Sequence, residues 1–557
     1  MVGKRLMAVA VTMMAVWGMG EGASAQGVGH RGPLSPAFIQ WQAQRGHDAS
    51  SLGASHRKGR IPSPVDLSHV RGRLRRMAPE IPASFDLRSR GGVSPVRDQR
   101  DWGACWTFGA LGSLESFLLT SGSAPGADHP WGEGLWDLAE RHLAWFGYMD
   151  QDADHVAFTG DPATPDDVYN NGGDDWRAVA ILARGTGAVD EDDAPYMGPG
   201  WNTPDPSGEE PRRVLLTEAL YLPYQDGNFE YPPLHQAIKE SVMAYGASSI
   251  GMFAEFEAPY YNPDTFAYHY AGPLNSNHAV CIVGWDDAYP KENFLAGHRP
   301  AANGAWIVRN SWGSSFGDGG YFYASYASAL DSGVNYIGVV EVSADRQERI
   351  HDYDPLGWCN TYGFGSATGW FANVFPLSED SALKAVSFYV AAESSSYQIR
   401  VYSDVSPDAS KGFRGTLVAG PLVGTLDIPG YRRVAMSGDV ILPGGKNFAV
   451  EVRLTTPGYL FPVPLELPLE GYSDKATSQP RQSWVSGNGV TWEDLTTEVP
   501  NANVCLKAFT VPYVGPKPTA APAPTSFPRS SGGGGCSAGL APGALLLLAP
   551  FVFFFRR

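Results

Sequence analysis

Residues 98–108 read DQRDWGACWTF, and the string runs on into WTFGALGSLESFLLT (106–120), whose apolar residues recur at helical spacing. This reading predicts a helix that opens at Cys105-Trp106. A thiol at a helix N-terminus sits at the positive end of the backbone dipole, which favours the thiolate and makes it a nucleophile near neutral pH. Further along, NSNHAVCIVGWD (275–286) puts His278 at the head of a buried strand, and WIVRNSWGSSFGDGGYFY (306–323) puts Asn310 at the end of another. With PLHQAIKESVMAYG (233–246) helical and GAWIVRN (304–310) extended, the texture from about Phe85 to Val342 is α+β.

Nucleophilic attack on an amide needs a base beside the thiol, an orienter for that base and donors for the oxyanion. Cys105, His278 and Asn310 supply the first three groups. Gln99 lies six residues before Cys105, so its side-chain amide can reach back beside the Cys105 backbone N–H to hold the developing charge. Asn310 would accept from one imidazole nitrogen and leave the other facing Cys105.

Taken together these strings resemble the papain-like C1 cysteine peptidases over roughly 82–323: PASFDLR, Gln99, Cys105-Trp106, NNGG (170–173), His278-Ala279 and NSWG (310–313) stand in the family's order. The resemblance implies a two-lobed papain-like peptidase domain with Cys105 as nucleophile, His278 as acid/base, Asn310 as orienter and Gln99 as oxyanion donor. It further implies that Trp312 shields the His278–Asn310 hydrogen bond and that Gly173 pairs with the substrate backbone. Departures are informative. Cys105 and His278 stand 173 positions apart, beyond the ~130–150 usual for the family. The excess fits 121–167, read as an inserted, partly looped excursion. The family's usual disulfide positions are here Trp102 and Asn170, so the bridge is missing as a pair. Asp174 and Asp175 follow Gly173 where the family has apolar pocket walls, which raises a preference for basic side chains against the reading of a solvated acidic loop.

The remaining chain divides by composition. With 557 residues, 43% of them hydrophobic, the chain can bury more than one core, and a net charge of −17 argues against nucleic acid as partner. Lys4-Arg5, the apolar run 6–19 and Ala23-Ser24-Ala25 read as a signal peptide (1–25) cut after Ala25. Residues 26–80, polar and basic, read as a pro-segment or a solvated linker. The peptidase domain is expected over 81–345. From 346 to 514, short alternating runs such as ALKAVSFYVAA (382–392) and KNFAVEVRLTT (446–456) predict an all-β sandwich, which resembles the lectin-like domain that follows some prokaryotic C1 peptidases. A Pro/Gly/Ser linker (515–534) leads into 535–557, whose Gly-rich Cys536 motif, apolar segment and terminal arginines resemble tripartite sorting tags of the Synergist and myxobacterial type. By that resemblance Cys536 is the cut or lipidated residue; a simple tail anchor is the alternative.

Only five cysteines occur, which excludes a disulfide scaffold. Cys281 reads as a core thiol, and Cys359 with Cys505 as the candidate disulfide of the sandwich. No metal-ligand spacing is found and no cofactor is required. The expected protein is an exported, surface-tethered, monomeric cysteine endopeptidase acting on protein or peptide, with cell-surface carbohydrate and a sorting protease as candidate partners. An adhesin on a papain-like scaffold and a Cys-dependent transpeptidase are the competing readings.

Overall fold

The Cys105–Thr120 helix is buried on almost every side, as its sequence requires: Glu115 is its only charged residue. Its small residues bring it against the sheet. A Cβ on Gly109 would stand 2.7 Å from Ser249 Oγ, and one on Gly112 would stand 3.2 Å from Cys281 Sγ. In this computed structural model the described residues are 27–44, 58–70, 80–122, 136–151, 155–160, 165–196, 204–222, 232–256, 259–272, 276–341, 348–408 and 412–515. Ala25, Cys536, the linker and the terminal segments lie outside them.

Two apolar clusters define two lobes. One gathers the Cys105–Thr120, Glu140–Trp145 and Asp175–Ala183 helices around Leu114, Trp145 and Ile181. The other lies inside the strands Ser248–Met252, His278–Asp286, Ala305–Arg309 and Tyr321–Ser325, around Ile250, Ile282, Trp285 and Phe322. The cleft between them receives the helix start at Cys105 and the strand start at His278. The 121–167 excursion is more than a loop: its described residues Trp136, Leu138, Leu143, Trp145 and Phe146 are core. The buried Glu115 organises this region. It accepts from the Leu138 amide at 2.8 Å and pairs with Arg97 at 2.9 Å, and Arg97 also reaches Glu140 at 3.0 Å. A carboxylate placed in a core needs such partners.

The C-terminal part is an antiparallel sandwich. One sheet runs in the order Gly412–Leu426, Ser395–Asp408, Lys446–Thr455, Thr368–Leu377, Ser483–Ser486, Glu493–Asp494. The facing strands are Arg349–His351, Leu506–Pro512, Ser381–Val390 and Gly430–Leu442. Phe371, Val386, Phe388, Val450 and Val452 fill the space between. The second sheet does not stop at the sandwich. Gly430–Leu442 pairs with Val214–Tyr221 of the preceding α+β part, with Gly430 opposite Leu220, and the sheet continues through Leu330–Glu341 into the strands that open at His278 and end before Asn310, 13 strands in all. Gly430 permits the junction: its φ is 144°, and a Cβ there would fall 1.9 Å from the Ala219 carbonyl oxygen. An aromatic chain crosses the same border, Trp176 stacking on Tyr221 at 4.4 Å, then Trp358, Tyr389 and Tyr431.

The expected Cys359–Cys505 disulfide is not formed; both thiols are buried and free. The Cys359 amide bonds to Leu465 and the Cys505 amide to Pro464, so the strand Val463–Glu466 runs between them. Two strand spacings of ~4.8 Å exceed the reach of ~7 Å between the Cα atoms of a bridge. Cys359 instead accepts from the Leu467 amide at 3.2 Å. Trp358 and Trp484 of the sandwich are core residues, not exposed rings on which a sugar could stack.

The segment before residue 80 is not a solvated linker where it is described. His30–Arg31 pairs with the sandwich strand Asn360–Gly363, and Phe38 of the Pro36–Gln44 helix packs edge-on against Tyr472 at 5.3 Å. Residues 58–70 then run through the cleft, with Val65, Leu67 and Val70 joining the core of the helical lobe. Among the described residues, no helix is long and apolar enough to cross a membrane.

Candidate active site

Cys105 is the first residue of its helix, preceded by Ala104, which offers no side-chain cap. The strand holding His278 packs beside it, so the Ala279 amide lies 3.4 Å from the Cys105 sulfur. His278 Nε2 donates to Asn310 Oδ1 at 2.8 Å. The Ser311 amide donates to the same oxygen at 2.8 Å, which fixes it as the amide oxygen of Asn310. Nε2 therefore carries the proton and Nδ1 is the nitrogen left basic. Trp312 covers this pair, its ring 5.1 Å from the imidazole and braced edge-on by Phe256 and Phe316. A hydrogen bond kept from water in this way holds its geometry and strength.

Gln99 is fully buried. Its Nε2 donates to the Trp102 carbonyl at 2.8 Å and its Oε1 accepts from Ser311 Oγ at 2.6 Å. The amide is thus clamped in the turn that leads into Cys105. Ser311 orients both Asn310 and Gln99, and it was not singled out from the sequence although it stands inside the NSWG string. Tyr196, also missed, donates to the Gln99 carbonyl at 2.8 Å and packs against Trp102 and Phe108. Nothing in its sequence neighbourhood marks it. At the two positions where the resemblance implies a bridge in the family, Trp102 stacks on Tyr169 at 4.2 Å and the Gly103 amide donates to Asn170 Oδ1 at 3.2 Å. A stack and a hydrogen bond do the bridge's work.

Gly173 pairs by its backbone, with the chain's own residues 59–61 as the strand. The Gly173 amide donates to the Gly59 carbonyl at 2.8 Å, and the Ile61 amide donates to the Gly173 carbonyl at 2.7 Å. A Cβ on Gly173 would lie 2.5 Å from Trp106 Cε2. Gly173→Ala is therefore expected to push the Trp106 ring and with it Cys105, lowering kcat/KM for a peptide by about 100-fold; unchanged kinetics would show that Trp106 gives way freely.

Of the two acids after Gly173, Asp174 turns away from the cleft. It caps the Asp175–Ala183 helix through the Arg177 amide and accepts from Tyr472 of the sandwich at 2.9 Å. Asp175 does face the cleft, where it binds Arg60 at 3.0 Å. Neither belongs to a solvated loop. The helix dipole alone was expected to favour the Cys105 thiolate. In this structure burial pushes the thiol up, against the smaller opposing pull of the Ala279, Gly59 and Trp106 amides and of Arg60. Cys281 is likewise a core thiol, pushed up by burial to about 12. Among the described residues no group of His, Cys, Asp and Glu side chains is placed to hold a metal ion.

Comparison with known proteins agrees with this geometry. A family model described as "Papain family cysteine protease" matches 81–125 and 166–340, and one described as "Lectin like domain" matches 350–510. Cysteine proteinase 1 of Zea mays is 27% identical over 273 residues, covering 48% of this chain and 63% of the relative. A cathepsin L-like peptidase of Aedes aegypti is 26% identical over 245 residues, 43% of this chain and 58% of the relative. The chain thus spans about three-fifths of the length of these relatives. The crystal structure of the cysteine protease and lectin-like domains of Cwp84, a surface layer associated protein of Clostridium difficile, superposes with a TM-score of 0.68 at 22% identity, covering 88% of this chain and 100% of that one. The same two-part architecture is present in both, and this chain joins a papain family cysteine protease domain to a lectin-like domain.

Proposed function

We propose that the chain is an exported, surface-tethered cysteine endopeptidase held inactive by its own residues 58–70. The observation that carries this reading is the His278–Asn310 hydrogen bond at 2.8 Å, on a strand whose Ala279 amide meets the Cys105 sulfur at 3.4 Å, with Gln99 buried and clamped in the turn before Cys105. In the reaction His278 Nδ1 takes the thiol proton as sulfur attacks the scissile carbonyl carbon. Gln99 and the Cys105 amide stabilise the oxyanion. The imidazolium then protonates the leaving amine, which leaves a thioester on Cys105, and His278 next activates water to release the acid. Export and tethering rest on the basic-apolar-small N-terminal pattern and on the Cys536 motif before the apolar tail.

Inhibition rests on the strap. Gly59 lies so close that a Cβ on it would stand 1.6 Å from the Gly103 carbonyl oxygen, and Cys105 has no exposed surface beneath it. The arginines at 71, 73, 75 and 76 that follow are a protease-sensitive junction through which the strap would be cut. The test is labelling of the full chain with a thiol-directed epoxide, before and after limited proteolysis, beside Cys105→Ala. The uncut chain is expected to label only as pH rises towards the raised thiol value, and the cut chain to label and cleave peptides near pH 7. Labelling or cleavage that persists in Cys105→Ala would refute the reading.

A further inference from the structure

The strap places one long cation in a pocket built to receive it. The Arg60 guanidinium is wholly buried between Asp175, on the helix that follows Gly173, and Asp331, on the strand Leu330–Glu341, at 3.0 and 3.3 Å. Its Nε donates to Ser276 Oγ at 3.2 Å. Both acids are aimed by other groups: Tyr336 donates to Asp175 Oδ1 at 3.2 Å, and Ser276 donates to Asp331 at 2.8 Å. Gly251 forms the floor, since a Cβ there would stand 2.1 Å from Arg60 Nε. The Asp175 side chain is only 1% exposed and that of Asp331 14%, so removal of the strap would leave two oriented carboxylates in the cleft with their cation gone. Buried charges of one sign demand an opposite charge.

We propose that Asp175, Asp331 and Ser276 form the subsite that selects an arginine or lysine in the substrate, and that Arg60 occupies it until the strap is cut. This rests on the peptidase reading and deepens it. The position of the selected residue follows from the backbone. Gly59 offers its amide to the Cys105 thiol, and Arg60 is the next residue, beside Gly173. The strap lies parallel to the Gly173 segment. A substrate paired antiparallel would let one residue use both the N–H and the C=O of Gly173. Running opposite to the strap, it would place that residue on the acyl side, second before the scissile bond, with its side chain in the Arg60 pocket. A strap threaded the other way presents its peptide bonds reversed to the nucleophile and resists cleavage.

The test uses the full chain activated by limited proteolysis and peptide pools randomised at every position around the cut. Arginine and lysine are expected at the second residue before the bond, with kcat/KM on the order of 10- to 100-fold above leucine there. Asp331→Asn is expected to erase that ratio while epoxide still labels Cys105, which shows that the fold is kept. In the uncut chain, Arg60→Met leaves the pocket intact and is expected to speed Cys105 labelling about tenfold by loosening the strap. Cys105-dependent cleavage without basic selection, a ratio that Asp331→Asn does not change, or unaltered labelling of Arg60→Met would each overturn the subsite alone. Absence of any Cys105-dependent cleavage would overturn the peptidase reading and the subsite with it.

Discussion

His278→Ala is expected to lower kcat/KM of the activated chain on a peptide on the order of 10,000-fold or more, with little effect on substrate binding. The size follows from two duties carried by one ring. Beneath the strap, burial pushes the Cys105 thiol up against the pull of the neighbouring amides, and once the strap is cut His278 is the group placed to take its proton. The thiol needs that base at the moment of attack. The leaving amine then needs a proton, and the same Nδ1 supplies it. Asn310→Ala leaves the ring in place but removes the acceptor that fixes its tautomer at 2.8 Å, so a smaller loss of roughly 100-fold is expected. Steady-state kinetics on the two variants give the ordering. The pH dependence of epoxide labelling separates the duties: in His278→Ala it should follow a lone thiol, and in Asn310→Ala it should keep an imidazole component. Equal losses in the two variants would mean that Asn310 holds the ring itself in place rather than its tautomer.

The candidate catalytic set was legible in the sequence because each member lies in a short string whose local structure is self-determined. Cys105 opens an apolar helix, and His278 and Asn310 sit at the ends of strands whose inner residues, 279–285 and 306–308, carry no charge. The pairing of Val214–Tyr221 with Gly430–Leu442 was not readable. Both are strand-like, but nothing in either says that its edge is covered by the other, and the enabling feature is a single positive-φ glycine. The disulfide expectation failed for a related reason, since sequence shows two cysteines but not the strand that runs between them. Asp331 and Arg60 are 271 positions apart, in strings without any motif, and only the fold brings them together. The acids after Gly173 were noticed as a pair, yet a helix start separates their fates: Asp174 becomes the cap and Asp175, one position on, turns into the cleft.

Arg177→Met is expected to destabilise the chain by about 3–5 kcal/mol, which makes it the largest stability effect foreseen here. The guanidinium is fully buried where the helical lobe meets the sandwich. It stands over the rings of Tyr148, Phe158 and Tyr472 at 4.8, 4.6 and 4.8 Å, donates to the Tyr472 carbonyl at 2.8 Å and bonds the Tyr148 hydroxyl. Methionine roughly keeps the volume, so the loss comes from charge and hydrogen bonds rather than from a cavity. The penalty should depend on pH through Asp174. Burial already pushes that carboxyl up to about 6, and Arg177 is the main group pulling it down. Without Arg177 it rises further. A carboxyl raised on folding costs nothing below its unfolded value of 3.8, and its ionisation opposes folding increasingly as pH climbs from there to the folded value, above which the cost is constant, so a higher folded value extends the loss to higher pH. The Arg177→Met loss is therefore expected to be smaller at pH 5 than at pH 8. Adding Asp174→Asn, which keeps a cap for the helix while removing the charge, should recover part of the loss at pH 8 and little at pH 5. Urea unfolding of the four species at both pH values measures this. A loss independent of pH, or no coupling between the two positions at pH 8, would assign the effect of Arg177 to aromatic packing rather than to its charge.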